Sequence, residues 1–306
     1  MQAVPSYVHL HETGELTRRI DAARAILQEC TLCPRQCRVN RLEGEKGFCR
    51  VGKLPMVSSF GPHFGEEGPL VGGHGSGTIF LTGCNLRCIF CQNYDISHLG
   101  AGEEVTVEQL GEMMISLWRQ GCHNINFVTP THQVAQILAA LPHAIEQGMN
   151  VPLVYNCGGY EEAGTVRLLD GIFDIYMPDF KYGDSETAQR LSGIPRYVET
   201  AQEALREMHR QVGPLMLDER GIALRGLLVR HLVLPEGLAG TRRVMEFIAS
   251  ELSPDTYVNI MNQYHPCFKA VEYPPLNRRI TMTEFNEAIE IAREEGIRRL
   301  GGQMWL

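Results

Sequence analysis

The sequence predicts an α/β fold: a partial (β/α)6 barrel of parallel strands, with a small cysteine-rich metal-binding segment ahead of it. Three observations predict it. From residue 78 onward, short β-branched or aromatic runs alternate with longer helical patterns. Polar and glycine-rich residues gather after each of those runs. The ten cysteines cluster, with four between residues 30 and 49 and three between residues 84 and 91.

A chain of 306 residues has room for a barrel of roughly 200 to 250 residues and an appendage. We divide it into residues 1–60, an N-terminal helix with the four-cysteine segment, and residues 61–306, the barrel with a C-terminal helix. The composition, 44% hydrophobic and 21% charged, is ordinary for a globular protein. Lys and Arg number 28 against 36 Asp and Glu, a net charge of -8, and no run of Lys or Arg forms a basic face. This argues against nucleic acid as a partner. The start, "MQAVPSYVHLHETGEL", has neither a basic n-region nor a long apolar stretch, and no apolar segment reaches the roughly 18 residues of a membrane span. The expectation is a soluble cytoplasmic protein without a membrane partner. In that reducing compartment cysteines serve metals or catalysis more often than disulfides.

In chain order, the first element is Cys30-x2-Cys33-x3-Cys37-x11-Cys49, a complete set of four ligands in a turn-rich segment containing Pro34, Gly44 and Gly47. A four-cysteine zinc site would give a module of about 20 residues the folding energy that it cannot draw from a core. The same thiolates suit an auxiliary iron–sulfur cluster. Spacing does not separate the two, and the reading inclines to structural zinc. Next, Glu66 and Glu67 in "HFGEEGPL" are candidates to face the barrel mouth and bind or deprotonate a substrate, with simple solvation as the alternative.

Six strands follow: "TIFLT" (78–82), "NINFVT" (124–129), "PLVYNC" (152–157), "FDIYMPDF" (173–180), "LLVRHLVLP" (227–235) and "TYVNIMN" (256–262). Helical patterns alternate with them: "TVEQLGEMMISLWRQG" with Thr106 as N-cap, "THQVAQILAALPHAIEQG", "EEAGTVRLLDG", "VETAQEALREMHRQVG", "TRRVMEFIASEL" and "TMTEFNEAIEIAREEG". Several end at glycine, as C-cap logic expects. Strict alternation argues for a parallel sheet covered by helices, and in such a barrel chemistry sits at the carboxyl ends of the strands. Those ends read "GCNLRCIFCQN", "TPTHQ", "NCGGYE", "PDFKYG", "PEG" and "NQYHP".

The first of these ends, Cys84-x3-Cys88-x2-Cys91, holds three thiols. Four would close a metal site, whereas three leave a position open to substrate or cofactor. The loop is short enough to wrap three corners of one cubane cluster. A zinc loop borrowing a distant fourth ligand is the competing reading. Cys122, Cys157 and Cys267 read as small buried hydrophobes.

A Cys-x3-Cys-x2-Cys loop with an aromatic, Phe90, before its last cysteine and directly after a first strand resembles the signature of the radical S-adenosylmethionine (SAM) superfamily. The resemblance implies a 4Fe–4S cluster on Cys84, Cys88 and Cys91 whose open iron binds SAM. It also implies reductive cleavage to a 5'-deoxyadenosyl radical, hydrogen abstraction from a substrate, and a flavodoxin- or ferredoxin-type reductant. The cofactor carries the difficult chemistry and the protein orients it. Further along, "IYMPDFKYG", "VRHLVLPEG" and "NQYHP" resemble segments of pyruvate formate-lyase (glycyl-radical-enzyme) activating proteins. This implies SAM contacts for Asp179, Lys181, Arg230 and His265. A lysine pairs a carboxylate and an aspartate accepts from ribose hydroxyls. A salt bridge at the barrel mouth is the alternative for each, above all for Arg230.

The sequence departs from that pattern after the second strand, where the usual "GGEP" is replaced by "FVTPTHQ". Thr129 and Thr131 are the candidates to take over the contact to the methionyl amino group, with helix capping by Thr131 as the competing role. Asn156 is expected to line the cavity, while Gly158 and Gly159 follow the third strand and do not transfer. The substrate stays open among protein, peptide and small molecule. Two other classes compete. An iron–sulfur electron carrier would need neither Asp179 nor Lys181, and a zinc-ribbon nucleic-acid module conflicts with the acidic balance.

Overall fold

A computed structural model describes residues 4–301. Two helices, α1 (Ser6–Glu12) and α2 (Glu15–Ile26), precede the cysteine-rich segment. The antiparallel strands β1 (Met56–His63) and β2 (Ser76–Leu81) flank the short helix α3 (Gly68–Val71), and β3 (Glu103–Glu104) pairs on the outer side of β1. The chain then winds through α4 (Val107–Arg119), β4 (Ile125–Val128), α5 (Val134–Glu146), β5 (Leu153–Cys157), α6 (Ala163–Leu168) and β6 (Ile175–Pro178). It continues through α7 (Ser185–Ser192), α8 (Tyr197–Val212), β7 (Met216–Leu217), β8 (Ala223–Leu232), α9 (Thr241–Phe247), β9 (Tyr257–Met261), α10 (Met282–Glu294) and β10 (Arg299–Gly301).

The spatial order is β10-β9-β8-β6-β5-β4-β2-β1-β3, and every pair from β2 to β10 is parallel. The short β7 pairs antiparallel with β8, off this path. Successive parallel strands are sheet neighbours, the winding of a barrel opened at one side. All six predicted strands are present. Three further edge strands lie on the path beside them. β1 carries Gly61 and Pro62 and does not read as a strand, yet it completes the antiparallel edge beside β2. β3 and β10 are two and three residues long. Helix α7 also escaped the pattern, because its eight residues bury only Ala188, Leu191 and Ser192. Asp184 caps it, accepting the Thr187 N–H at 2.8 Å. Thr106 does cap α4, in a reciprocal box with Gln109.

Alternation along the strands divides the core in two. Phe127, Tyr155, Tyr176 and Val229 face the helices and join the main hydrophobic cluster. Val154, Ile175, Met177 and Leu228 face the bore, where Leu70 of α3 packs among them in a separate cluster. The β1–β2 connection therefore plugs the barrel from within. No helix among the described residues is long and apolar enough to cross a membrane.

Candidate active site

Cys84, Cys88 and Cys91 lie on the loop that leaves β2, and α7 fixes that loop's path. The Arg87 and Ile89 N–H groups donate to the carbonyls of Ser192 and Leu191 at 3.0 and 2.9 Å. Gly83 is required at the turn. Its φ is +88°, and a Cβ there would stand 2.5 Å from the Cys49 carbonyl oxygen. Asn85, fully buried, donates to the Tyr160 carbonyl at 2.6 Å. Phe90 is held edge-on by Tyr182 and Tyr264.

Each thiol has a polar neighbour suited to a thiolate. The Leu86 N–H lies 3.3 Å from Cys84 Sγ, Ser192 Oγ 3.0 Å from Cys88 Sγ, and Ser97 Oγ 3.1 Å from Cys91 Sγ. Burial nevertheless pushes Cys84 up to about 12 and Cys88 up to about 11. Burial opposes ionisation of both thiols, and a bound cation would offset that cost. Three thiol donors on one short loop, each with a polar neighbour, are the donor set an iron–sulfur cluster takes.

Beside the triad stands a charged network. Asp179, just past β6, accepts from Arg230 Nε at 2.7 Å through Oδ1 and from the Lys181 ammonium through Oδ2. Burial alone would raise Asp179, but the Arg230 and Lys181 cations outweigh it and hold the carboxyl below its ordinary value. Arg230 also donates to Asn156 Oδ1 at 2.7 Å and lies 3.5 Å from Glu66 and 3.9 Å from Glu67. Glu67 in turn accepts from Asn259 at 2.9 Å. Both glutamates are thus buried against Arg230, and burial raises Glu66. The Tyr197 hydroxyl accepts the Lys181 N–H at 2.8 Å and lies 2.9 Å from the Asp179 carbonyl oxygen. Gly159, at φ +79°, lets the β5–α6 loop cross the end of β6, where a Cβ would strike the Asp179 carbonyl.

The remaining candidates lie around this centre. His265, half-buried after β9, sits 3.3 Å from Gln92, the residue following Cys91. Thr129 is half-buried at the end of β4. The Thr131 hydroxyl donates to Glu161 at 2.8 Å and caps no helix, since α5 begins at Val134. Glu161 also accepts from Tyr155 at 2.8 Å, and burial pushes it up to about 7. Cys122 and Cys157 are buried, and Cys267 faces the Phe90 carbonyl at 3.3 Å.

The sequence reading missed Ser97, Ser192 and Tyr197, which reach the site from distant segments and carry no local motif. It also missed Arg35 and Arg41. Cys30, Cys33, Cys37 and Cys49 line a common cavity with both arginines and His132. The placement of Arg35 between Cys33 and Cys37, and of Arg41 between Cys37 and Cys49, was the available signal.

An open thiol triad at the mouth of a parallel partial barrel defines a class of iron–sulfur enzyme. The family model of the radical SAM superfamily matches residues 78–217. Over 288 residues the chain is 35% identical to an uncharacterised protein of Methanocaldococcus jannaschii, MJ0674, covering 91% of this chain and 78% of that protein. A second uncharacterised protein of that organism, MJ0808, is 24% identical over 293 residues, covering 88% and 79%. Among solved structures, a radical SAM methyltransferase from Sphaerobacter thermophilus shares the fold with a TM-score of 0.51 at 17% identity. That match covers 73% of this chain and 65% of the methyltransferase, just under two thirds of its length. The chain belongs to the radical SAM superfamily.

Proposed function

We propose that the protein cleaves SAM reductively and uses the product to abstract a hydrogen atom from a substrate, with a polypeptide glycine, the substrate of glycyl-radical activating proteins, as the candidate to test. The observation that carries the reading is the juxtaposition of an open thiol triad with the Asp179–Lys181–Arg230 network at one barrel mouth. When bound, a four-iron cluster on the triad supplies the electron that splits SAM, and the fragment released removes the substrate hydrogen. The chain's own residues bind and orient. Lys181 spends one of its three N–H donors on Asp179 and keeps the others for the methionyl carboxylate. Asp179, held ionised, retains lone pairs for ribose hydroxyls. Arg230 is committed to protein partners and acts by positioning Asp179 and Asn156, whose amide lines the cavity. The methionyl amino group is assigned to Thr129 and to the Thr131 carbonyl, and His265 to the nucleoside. Glu66, Glu67 and Leu70 close the barrel from below and exclude water, so that charge–charge contacts above them stay strong.

The experiment is anaerobic incubation of reduced protein with SAM. Methionine and 5'-deoxyadenosine should appear in equal amounts, and the triple variant Cys84→Ala/Cys88→Ala/Cys91→Ala should form neither. An electron carrier would release no 5'-deoxyadenosine at all, which would end the reading. With a peptide deuterated at glycine Cα, deuterium should enter the 5'-deoxyadenosine. Its absence across glycine-containing peptides would remove the glycyl substrate.

A further inference from the structure

The four amino-terminal cysteines line a space with two arginines, whose electrostatics call for a centre that is anionic overall once the thiols are ionised. Arg41 is 1% exposed, the largest of the fully buried side chains. Its guanidinium donates to the Gly52 and His132 carbonyls at 3.0 and 2.9 Å and points at Cys30 Sγ from 3.8 Å. None of the ion pairs among the described residues includes it. A buried cation without a carboxylate is strongly unfavourable unless another anion faces it. Arg35 adds a second guanidinium, stacked 3.8 Å over Phe48 and bonded to the Asn85 carbonyl at 2.9 Å.

Two buried polar atoms around the same cavity have no partner: Arg35 Nη2 and Nδ1 of His132, a residue 1% exposed. The Phe48 N–H meanwhile donates to Cys37 Sγ at 3.4 Å. Four thiolates around a dication, one zinc ion or a four-iron core in its 2+ state alike, leave about two negative charges, which two arginines offset. The placement of the thiols is what separates the two centres.

We infer that Cys30, Cys33, Cys37 and Cys49 hold a second iron–sulfur cluster, closed by four thiolates, and not the zinc ion to which the sequence inclines. Zinc requires four sulfurs within ~3.8 Å of one another. Among the described residues no group of three or more His, Cys, Asp or Glu side chains is placed to hold a single metal ion. Instead these thiols line the walls of a cavity, as ligands to a cubane do, one per iron.

The position also suits an electron store. The Cys49 carbonyl abuts Gly83, Arg35 bonds the residue after Cys84, and Arg87 of the triad loop donates to the Phe48 carbonyl at 3.0 Å. A cluster held by these four cysteines would take one electron from a low-potential ferredoxin- or flavodoxin-class donor and would hand that electron on to a cluster held by Cys84, Cys88 and Cys91, returning to its oxidised state.

The test is metal stoichiometry after anaerobic reconstitution with iron and sulfide. The parent should carry about eight irons and eight sulfides per chain without zinc, and the triad triple-alanine variant about four of each. The reduced variant should give an electron paramagnetic resonance signal that SAM leaves unchanged, because no iron is open. One zinc per chain with about four irons in the parent overturns the inference. So does a triad variant that is folded by circular dichroism and takes up no iron. If that variant does not fold, the parent's iron-to-zinc ratio decides.

Discussion

Replacing Arg230 by methionine removes the cation shared by Asp179, Glu66 and Glu67. Arg230 is 16% exposed, and the three carboxylates 13%, 8% and 6%. Removing one partner of a buried ion pair costs about 3–5 kcal/mol. Lys181 still neutralises Asp179, so the loss falls mainly on the two glutamates. The lower end, about 3 kcal/mol, is expected, a fall of roughly a hundredfold in the folded-to-unfolded ratio.

The pH dependence follows from the shifts. In the parent, Asp179 lies below its ordinary value, so its contribution is present above the unfolded value near ~3.9 and is lost as pH falls. In the variant, Glu66, already raised by burial, loses the cation that opposes the rise. Its contribution is then complete at low pH and lost as pH rises. The gap between parent and variant should therefore widen from pH 5 to pH 8. Urea unfolding followed by far-ultraviolet circular dichroism, compared at equal slope, measures it. A loss below about 1 kcal/mol, or an equal loss at both pH values, would refute the network's energetic role.

Lys181→Ala should weaken SAM binding roughly ten- to a hundredfold, the worth of a charge-assisted bond of about 1.5–3 kcal/mol, while iron content stays at the parent's level. Parent-like affinity in an equilibrium titration would withdraw the carboxylate contact. Asp174, buried ahead of β6 and accepting the Leu153 N–H at 3.0 Å, is pushed up by burial to about 7. Because that value is raised, its contribution is complete below about 4 and is lost as pH rises to about 7. Asp174→Asn should flatten the thermal midpoint between pH 5 and pH 8, and a profile as steep as the parent's would contradict the shift.

The sequence by itself determined what is local. Alternation of period 2 with period 3.6 marked the six parallel strands, Thr106 marked the start of α4, and the spacing of Cys84, Cys88 and Cys91 marked a candidate open metal site. Each signal lies within a single element, where backbone geometry ties spacing directly to position. Only the tertiary structure decided what those elements meet. Nothing near Arg230 in the chain tells that it holds Asp179, 51 residues away, and Asn156, 74 residues away. Nothing in "HFGEEGPL" tells that Leu70 turns inward to plug the bore while Glu66 and Glu67 reach Arg230. The four amino-terminal cysteines were legible as ligands, but that they line one cavity with Arg35, Arg41 and His132 came only with the fold. Spacing reports which side chains can converge. The charge balance of a buried cavity depends on every element packed around it, and those come together only when the barrel closes.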